Sequence, residues 1–414
     1  MNRTLYSLAT ALLLPWALLH LWLRARRQPE YLQHVGERFA HYPPDHDSRP
    51  LIWIHAVSVG ETRAAETLIS ALQQRFPDHR ILLTHMTPTG RATTSALLGS
   101  CERRYLPYDT PWAVTRFLKH YRPVFGLIME TELWPNLIAA CAQRQIPLLL
   151  INARLSARSA RRYARLGGLT RTALQHLRQI GAQTEADAAR LRQLGAENIS
   201  ICGNLKFDLA APIEQQTRAQ EWRAAIGGRP VVLCASTREG EEALLLKAWQ
   251  QASPAALLII VPRHPQRFDD VTAFALQAGL RTERRSTGLP TAATQVWIGD
   301  SMGEMAAYYA VADVALIGGS LLDFGSQNLI EACAMGTPVL LGPSTYNFAE
   351  AAANALACGA AITVDDAEDF VAKAMALLND DARCAAMGAA GKEFTQAHRG
   401  ATERTMRLIE AVLE

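Results

Sequence analysis

The stretch Ile54–Thr62, IHAVSVGET, decides the fold. It ends an apolar run that begins at Leu51, turns at Ser58-Val59-Gly60, and enters the helix-like ETRAAETLISALQQRF of residues 61–76. A short apolar run, a tight turn and a helical repeat together read as one strand–helix unit of a parallel sheet. Turns of this kind usually offer backbone amides to phosphate. Here a carboxylate, Glu61, follows at once, and it would repel an anion. The turn therefore reads as serving something other than a phosphate.

The same alternation continues in both directions. LIWIHAVS, RILLTHMT, FGLIME, PLLLINA and QIGAQTE read as strands, with helices such as LWPNLIAACAQRQ between them. A second series starts near Pro230: PVVLCAST, ALLIIVP, TQVWIGD, DVALIGG, TPVLLGP and AAITV. REGEEALLLKAWQQA and SQNLIEACAMG supply intervening helices. The expected fold class is α/β, two Rossmann-like domains facing a central cleft. ERFAHYPPDHDSRP and DLAAPIEQQTRAQEW read as linkers. The expected division is residues 1–27 as a membrane anchor, 28–207 as an N-terminal domain and 208–414 as a C-terminal domain. Whether the last helix returns to the N-terminal domain is left open.

At 414 residues there is room for two cores. The 42 basic against 39 acidic residues leave a net charge of +3, which argues against bulk nucleic-acid binding. Seven scattered cysteines, with no C-x-x-C pair, read as reduced thiols filling core positions. The N-terminus differs. TLYSLATALLLPWALLHLWLRARRQPEY sets about twenty mostly apolar residues before Arg24, Arg26 and Arg27. The run ends in Leu-Trp-Leu-Arg, without the small residues of a cleavage site. It reads as an anchor, spanning or interfacial, with the rest of the chain on the cytoplasmic side.

Three turns of the C-terminal half suit an anionic ligand. In GGSLLDFGSQNLIEACAMGTPVLLGP, Gly318, Gly319, Ser320 and Gly325 permit close backbone approach, and a helix is expected to start near Ser326. Asn328 belongs to the same turn, and Glu331 is placed to accept ribose hydroxyls. ASTREGEE adds Ser236 and Thr237 at a second helix start, and VPRHPQRF adds Arg263, His264 and Arg267 beyond a strand end. The N-terminal half instead presents acids: Glu61, then Glu130 and Glu132 in METELWPN. Each could be a helix cap. Opposite a phosphate-binding lobe, a carboxylate could also take the proton of an attacking hydroxyl during sugar transfer from a nucleotide. Arg154, Arg158, Arg161, Arg162 and Arg165 crowd NARLSARSARRYARLGG, either as a solvated face or as a site for anionic lipid head groups.

Together HAVSVGE, TELWPN, NARLSARS, GNLKFD, GDSMGEM and the GGS…NLIEA…G.PV block resemble the 3-deoxy-D-manno-octulosonic acid (Kdo) transferases of lipopolysaccharide assembly. The resemblance covers nearly the whole chain. It implies a GT-B fold and inverting transfer of Kdo from CMP-Kdo to a lipid A precursor. The setting it implies is the cytoplasmic face of the inner membrane. It makes Glu61 the general base, an acid of TELWPN an acceptor contact and Glu331 a ribose partner; the acceptor-binding residues expected are Glu130, Glu132, Arg154, Arg158, Arg161 and Arg162. Lys206 in GNLKFD is the candidate for the donor carboxylate, with a structural salt bridge as its alternative. No metal or other cofactor is expected, since Arg263 with a helix start could hold the growing charge of a single phosphate without a divalent ion. The resemblance departs where GGHN is replaced by Gly325-Ser326-Gln327-Asn328, and where STHEGEE carries Arg238. Rival readings are a lipid A disaccharide synthase, a nucleotide-sugar epimerase, or a membrane-tethered bilobed solute-binding protein.

Overall fold

The computed structural model describes residues 2–26, 28–209, 213–252 and 254–413. They form two compact units, Met1–Leu209 with Arg399–Glu414, and Ala210–His398. The boundary expected after residue 207 thus falls after Leu209, the expected anchor is grouped with unit 1, and the final segment also belongs to unit 1. Arg27 and residues 210–212, which fall in the expected anchor and linker, lie outside the described residues.

Unit 1 contains a seven-stranded sheet in the order β3-β2-β1-β4-β5-β6-β7. Its strands are β1 (Leu51–His55), β2 (Arg80–His85), β3 (Glu102–Tyr105), β4 (Phe125–Met129), β5 (Leu148–Ala153), β6 (Gln179–Ala182) and β7 (Ile199–Ile201). All pairs are parallel, with Ile52 beside Ile81 and Phe125 in the centre. β1, β4 and β5 are buried along their whole length, which is why they read as unbroken apolar runs.

Unit 2 repeats the design in the order β10-β11-β9-β8-β12-β13-β14. Here the strands are β8 (Val231–Thr237), β9 (Leu257–Pro262), β10 (Thr282–Arg284), β11 (Val296–Ile298), β12 (Val314–Ile317), β13 (Val339–Leu341) and β14 (Ala361–Thr363). Strand order reverses between β1 and β4 in unit 1 and between β8 and β12 in unit 2. In such sheets ligands bind beyond the carboxyl ends at the reversal.

Both expected linkers turn out to be partly structural. Glu37 is buried and accepts from Tyr105 N at 2.8 Å and from Arg91 at 2.6 Å, so ERF anchors the chain to unit 1. The stretch read as an interdomain linker is largely the helix Ile213–Ile226, whose Trp222 is buried against Trp297 and Tyr308. An alternating polar surface hid these buried contacts. Five of the seven cysteines are buried, and all seven are free thiols.

Candidate active site

Glu61 sits in the first turn of the helix Val59–Ala64, directly after β1. Ser58 caps this helix, and the Ser-x-x-Glu spacing is that of a capping box. The carboxylate turns back to accept from Val57 N at 2.8 Å and from Ser58 Oγ at 2.9 Å. It is only 8% exposed. Burial, then the charges of Glu130 and Glu132, raise its pKa to about 8 against the pull of these two donors.

Glu130 follows β4, the strand beside β1, so the sheet reversal brings the acids together. Glu130 adopts a left-handed φ of 56°, costly for a residue with a Cβ. Lys206 Nζ lies 3.3 Å from its Oε1. Lys206 thus joins the acid cluster of unit 1. Glu132 is half-buried and pushed up to about 7 by burial and by Glu130. The result is three carboxylates and one ammonium at a single switch point.

The arginine run forms the helix Ala157–Leu166, which has no buried residue. Arg158, Arg161, Arg162 and Arg165 are exposed at i, i+3, i+4 and i+7, one face of the helix, while Arg154 precedes it and is half-buried. Among the described residues none of these four pairs with an acid. They are not brought to the carboxylate cluster by any bond.

At the switch point of unit 2, three cations gather. Burial and the charges of Arg238, Arg263 and Arg267 together lower the pKa of His264. Arg263 donates to Gln327 Oε1 at 3.1 Å, and Arg238 lies over the Phe324 ring at 4.5 Å. Arg267 pairs with the fully buried Glu242. Ser236, at the end of β8, has a φ of 57°. Asn328 donates to Glu331 at 3.0 Å.

Several expectations for this unit need correction. The helix of the glycine-rich block starts at Ile330, not near Ser326, because Ser326 and Gln327 bond back to Gly319 and Gly318, while Ile330 N donates to Asn328 Oδ1. The Gly319 amide is taken by the buried Glu241 carboxylate, which also accepts from Arg238 N and Leu321 N. Gly318 is small because a Cβ there would overlap the Ser236 carbonyl, and its amide bonds to Ala235. Ser320 is buried between Ile317 O and Gly342 N, and Thr237 donates to Glu242 at 3.0 Å. Gly325 N is held by Ser344. These residues shape the turn through internal bonds. The residues available at its surface are Ser236, Arg238, Arg263, His264, Gln327, Asn328 and Glu331. Sequence reading named Arg238 and Gln327 only as departures from the resemblance, and missed Glu241 as the strut of the turn. Its only signal was an acid pair in REGEE.

Two α/β units, each built on a parallel seven-stranded sheet, with acids at one sheet reversal and cations at the other, have the architecture of the GT-B type. Residues 244–394 match the family described as glycosyl transferases group 1. A glycosyltransferase from Rickettsia africae has the same fold, at 12% identity and a TM-score of 0.59, covering 89% of this chain and all of that one. So does a putative UDP-N-acetylglucosamine 2-epimerase from Listeria monocytogenes, at 13% identity and a TM-score of 0.61 over 89% of this chain and 97% of that one. The fold alone therefore does not choose between transferase and epimerase. Residues 33–209 match the 3-deoxy-D-manno-octulosonic-acid transferase family, and the chain is 45% identical to the 3-deoxy-D-manno-octulosonic acid transferase of Bordetella pertussis over 99% of both proteins. The chain belongs to the 3-deoxy-D-manno-octulosonic acid (Kdo) transferase family.

Proposed function

We propose that this enzyme transfers Kdo from CMP-Kdo to a lipid A precursor in lipopolysaccharide assembly, by a single inverting displacement with Glu61 as general base. The observation that carries the mechanism is the state of Glu61: a buried carboxyl with a pKa of about 8, hydrogen-bonded but not ion-paired, at a sheet reversal. A base poised near the working pH combines a usable ionised fraction with real proton affinity. The acceptor hydroxyl gives its proton to Glu61 as its oxygen attacks the anomeric carbon. The bond from that carbon to the cytidylate phosphate oxygen breaks, and CMP leaves as an anion.

Unit 2 is assigned the donor. Arg238 and Arg263 meet its phosphate and carboxylate, Glu331 accepts from ribose, and cationic side chains do the work of a metal. Lys206 pairs with Glu130 beside the base. The N-terminal helix is apolar enough for membrane association, and the proposed setting is the cytoplasmic face of the inner membrane. There the exposed arginines of Ala157–Leu166 meet acceptor phosphates.

Incubation with CMP-Kdo and a tetra-acylated lipid A precursor, followed by product mass, tests the reaction. Glu61→Gln should bind CMP-Kdo normally yet lose about a hundredfold or more in kcat. Near-normal turnover would remove Glu61 from the mechanism.

A further inference from the structure

The N-terminal helix, Arg3–Ala25, is 23 residues long, about 35 Å at the usual rise. That is enough to cross a hydrocarbon core of about 30 Å. Its contacts contradict a crossing. In its first turns Tyr6 donates to Asp109 at 3.0 Å and Ser7 to Asn136 at 2.8 Å, both buried residues of unit 1. Asn2 and Arg3 line a small cavity with Pro135, Leu169 and His176 of the same unit. At the other end Leu21 and Ala25 are buried, and the chain continues through the short turns Pro29–Leu32 and Val35–Phe39 to the anchored Glu37.

Between these ends the pattern is continuous. Tyr6, Thr10, Leu14, Ala17, Leu21 and Ala25, spaced by three or four along one face, are shielded, and Ser7 and Ala9 flank them in the first turns. The opposite ridge of Leu5, Leu8, Leu12, Trp16, Leu19 and Leu23 is exposed, Leu12 by 80%. A helix that crosses a bilayer cannot lay both ends on one soluble unit. Its first turn would be separated from Asp109 by the whole hydrocarbon core.

We infer that this helix lies flat in one leaflet as an in-plane anchor, with the Leu5–Leu23 ridge among acyl chains and unit 1 against the head groups. Charge fits this occupant. Arg3, Arg24 and Arg26 sit at the two ends of the ridge, where long basic side chains reach phosphates. The basic helix Ala157–Leu166 ends two residues before Gly168, which lines the same cavity as Arg3, so a second positive surface adjoins the anchor. The inference deepens the proposed membrane setting and rests on it.

The test uses the full chain with Cys358→Ser, which removes the exposed thiol. Spin labels are placed singly at Leu5→Cys, Leu12→Cys and Leu19→Cys, all exposed positions whose replacement leaves the docked face intact. The protein is bound to vesicles of mixed zwitterionic and anionic phospholipid, and label depth is read from collisions with oxygen and a nickel chelate. Similar shallow depths at all three positions are expected. Depth peaking near position 12, with position 5 returning to water on the far side, would overturn the in-plane arrangement while leaving membrane binding intact. Failure of the protein to float with vesicles would instead overturn the membrane setting, as would labels shielded by a second copy of the chain without lipid.

Discussion

At Glu61 two hydrogen-bond donors favour the ionised carboxylate, while burial and the charges of Glu130 and Glu132 oppose it. The opposing terms win, and the titration of this one group should govern activity. Turnover should rise with pH through about 8 as Glu61 ionises. Glu130→Gln removes a repelling charge beside the base, so the rise should move to lower pH. An unshifted profile in that variant would show that another group limits the rate. Stability has the opposite sign. The folded protein holds the Glu61 proton more tightly than the unfolded chain, whose carboxyl has the ordinary value of 4.5. This contribution is complete below 4.5 and is lost as pH rises through about 8. Glu61→Gln should therefore lessen the fall in the melting temperature of unit 1 between pH 6 and pH 9, and a variant that melts with the wild-type slope would contradict it. Glu61 was legible because it adjoins a strand end in sequence, and its capping role and its proposed catalytic role use the same position. Its pKa was not legible, since Glu130 lies on another strand.

Elements were legible where burial was symmetrical. The central strands are covered on both faces and read as apolar runs, whereas β3, β7 and β10 went unseen. All three are sheet edges with sequences ERRY, ISI and TER, short and partly polar as edges usually are. The helix of the glycine-rich block was placed four residues too early because Ser326 and Gln327 are held by the turn, and the first helical amide, Ile330 N, donates to Asn328 Oδ1. That helix, Ile330–Met335, carries Glu331 and is positioned from behind by the helix Asp381–Ala397. The two approach so closely that a Cβ on Gly388 would overlap the carbonyl oxygen of Gly336, which itself needs φ of 77°. Gly388→Ala must push these helices apart, at about 1–3 kcal/mol as for other overpacked sites. If Glu331 serves the donor, KM for CMP-Kdo should rise more than kcat falls. Unchanged stability would mean that the contact relaxes freely.

Over the whole molecule, sequence order and structural membership part company at the C-terminus. The helix Ala401–Leu413 follows all of unit 2 yet completes unit 1. Asp208, at the end of unit 1's first segment, accepts from Gly400 N at 2.7 Å and Thr402 N at 2.5 Å, and Arg404 donates to Cys202 O at 2.8 Å. Leu408 and Ile409 join the core formed by Ile52, Ile54, Leu68 and Leu127. An amphipathic helix in sequence does not say which sheet it covers, because either core would accept its apolar face. Deleting residues 399–414 strips that core of two large side chains, each contributing about 1.5–3 kcal/mol when fully buried. It also leaves the Asp208 carboxylate without its two amide donors. Unit 1 should lose at least about 3 kcal/mol, with unit 2 untouched although it is the nearer neighbour in sequence. Hydrogen exchange read strand by strand provides the check: β1 and β4 should exchange faster in the truncated protein, while β8 and β12 keep their protection. Equal loss in both sheets would mean that the units do not unfold independently, and no loss in either would mean that the returning helix is decoration on a core already complete.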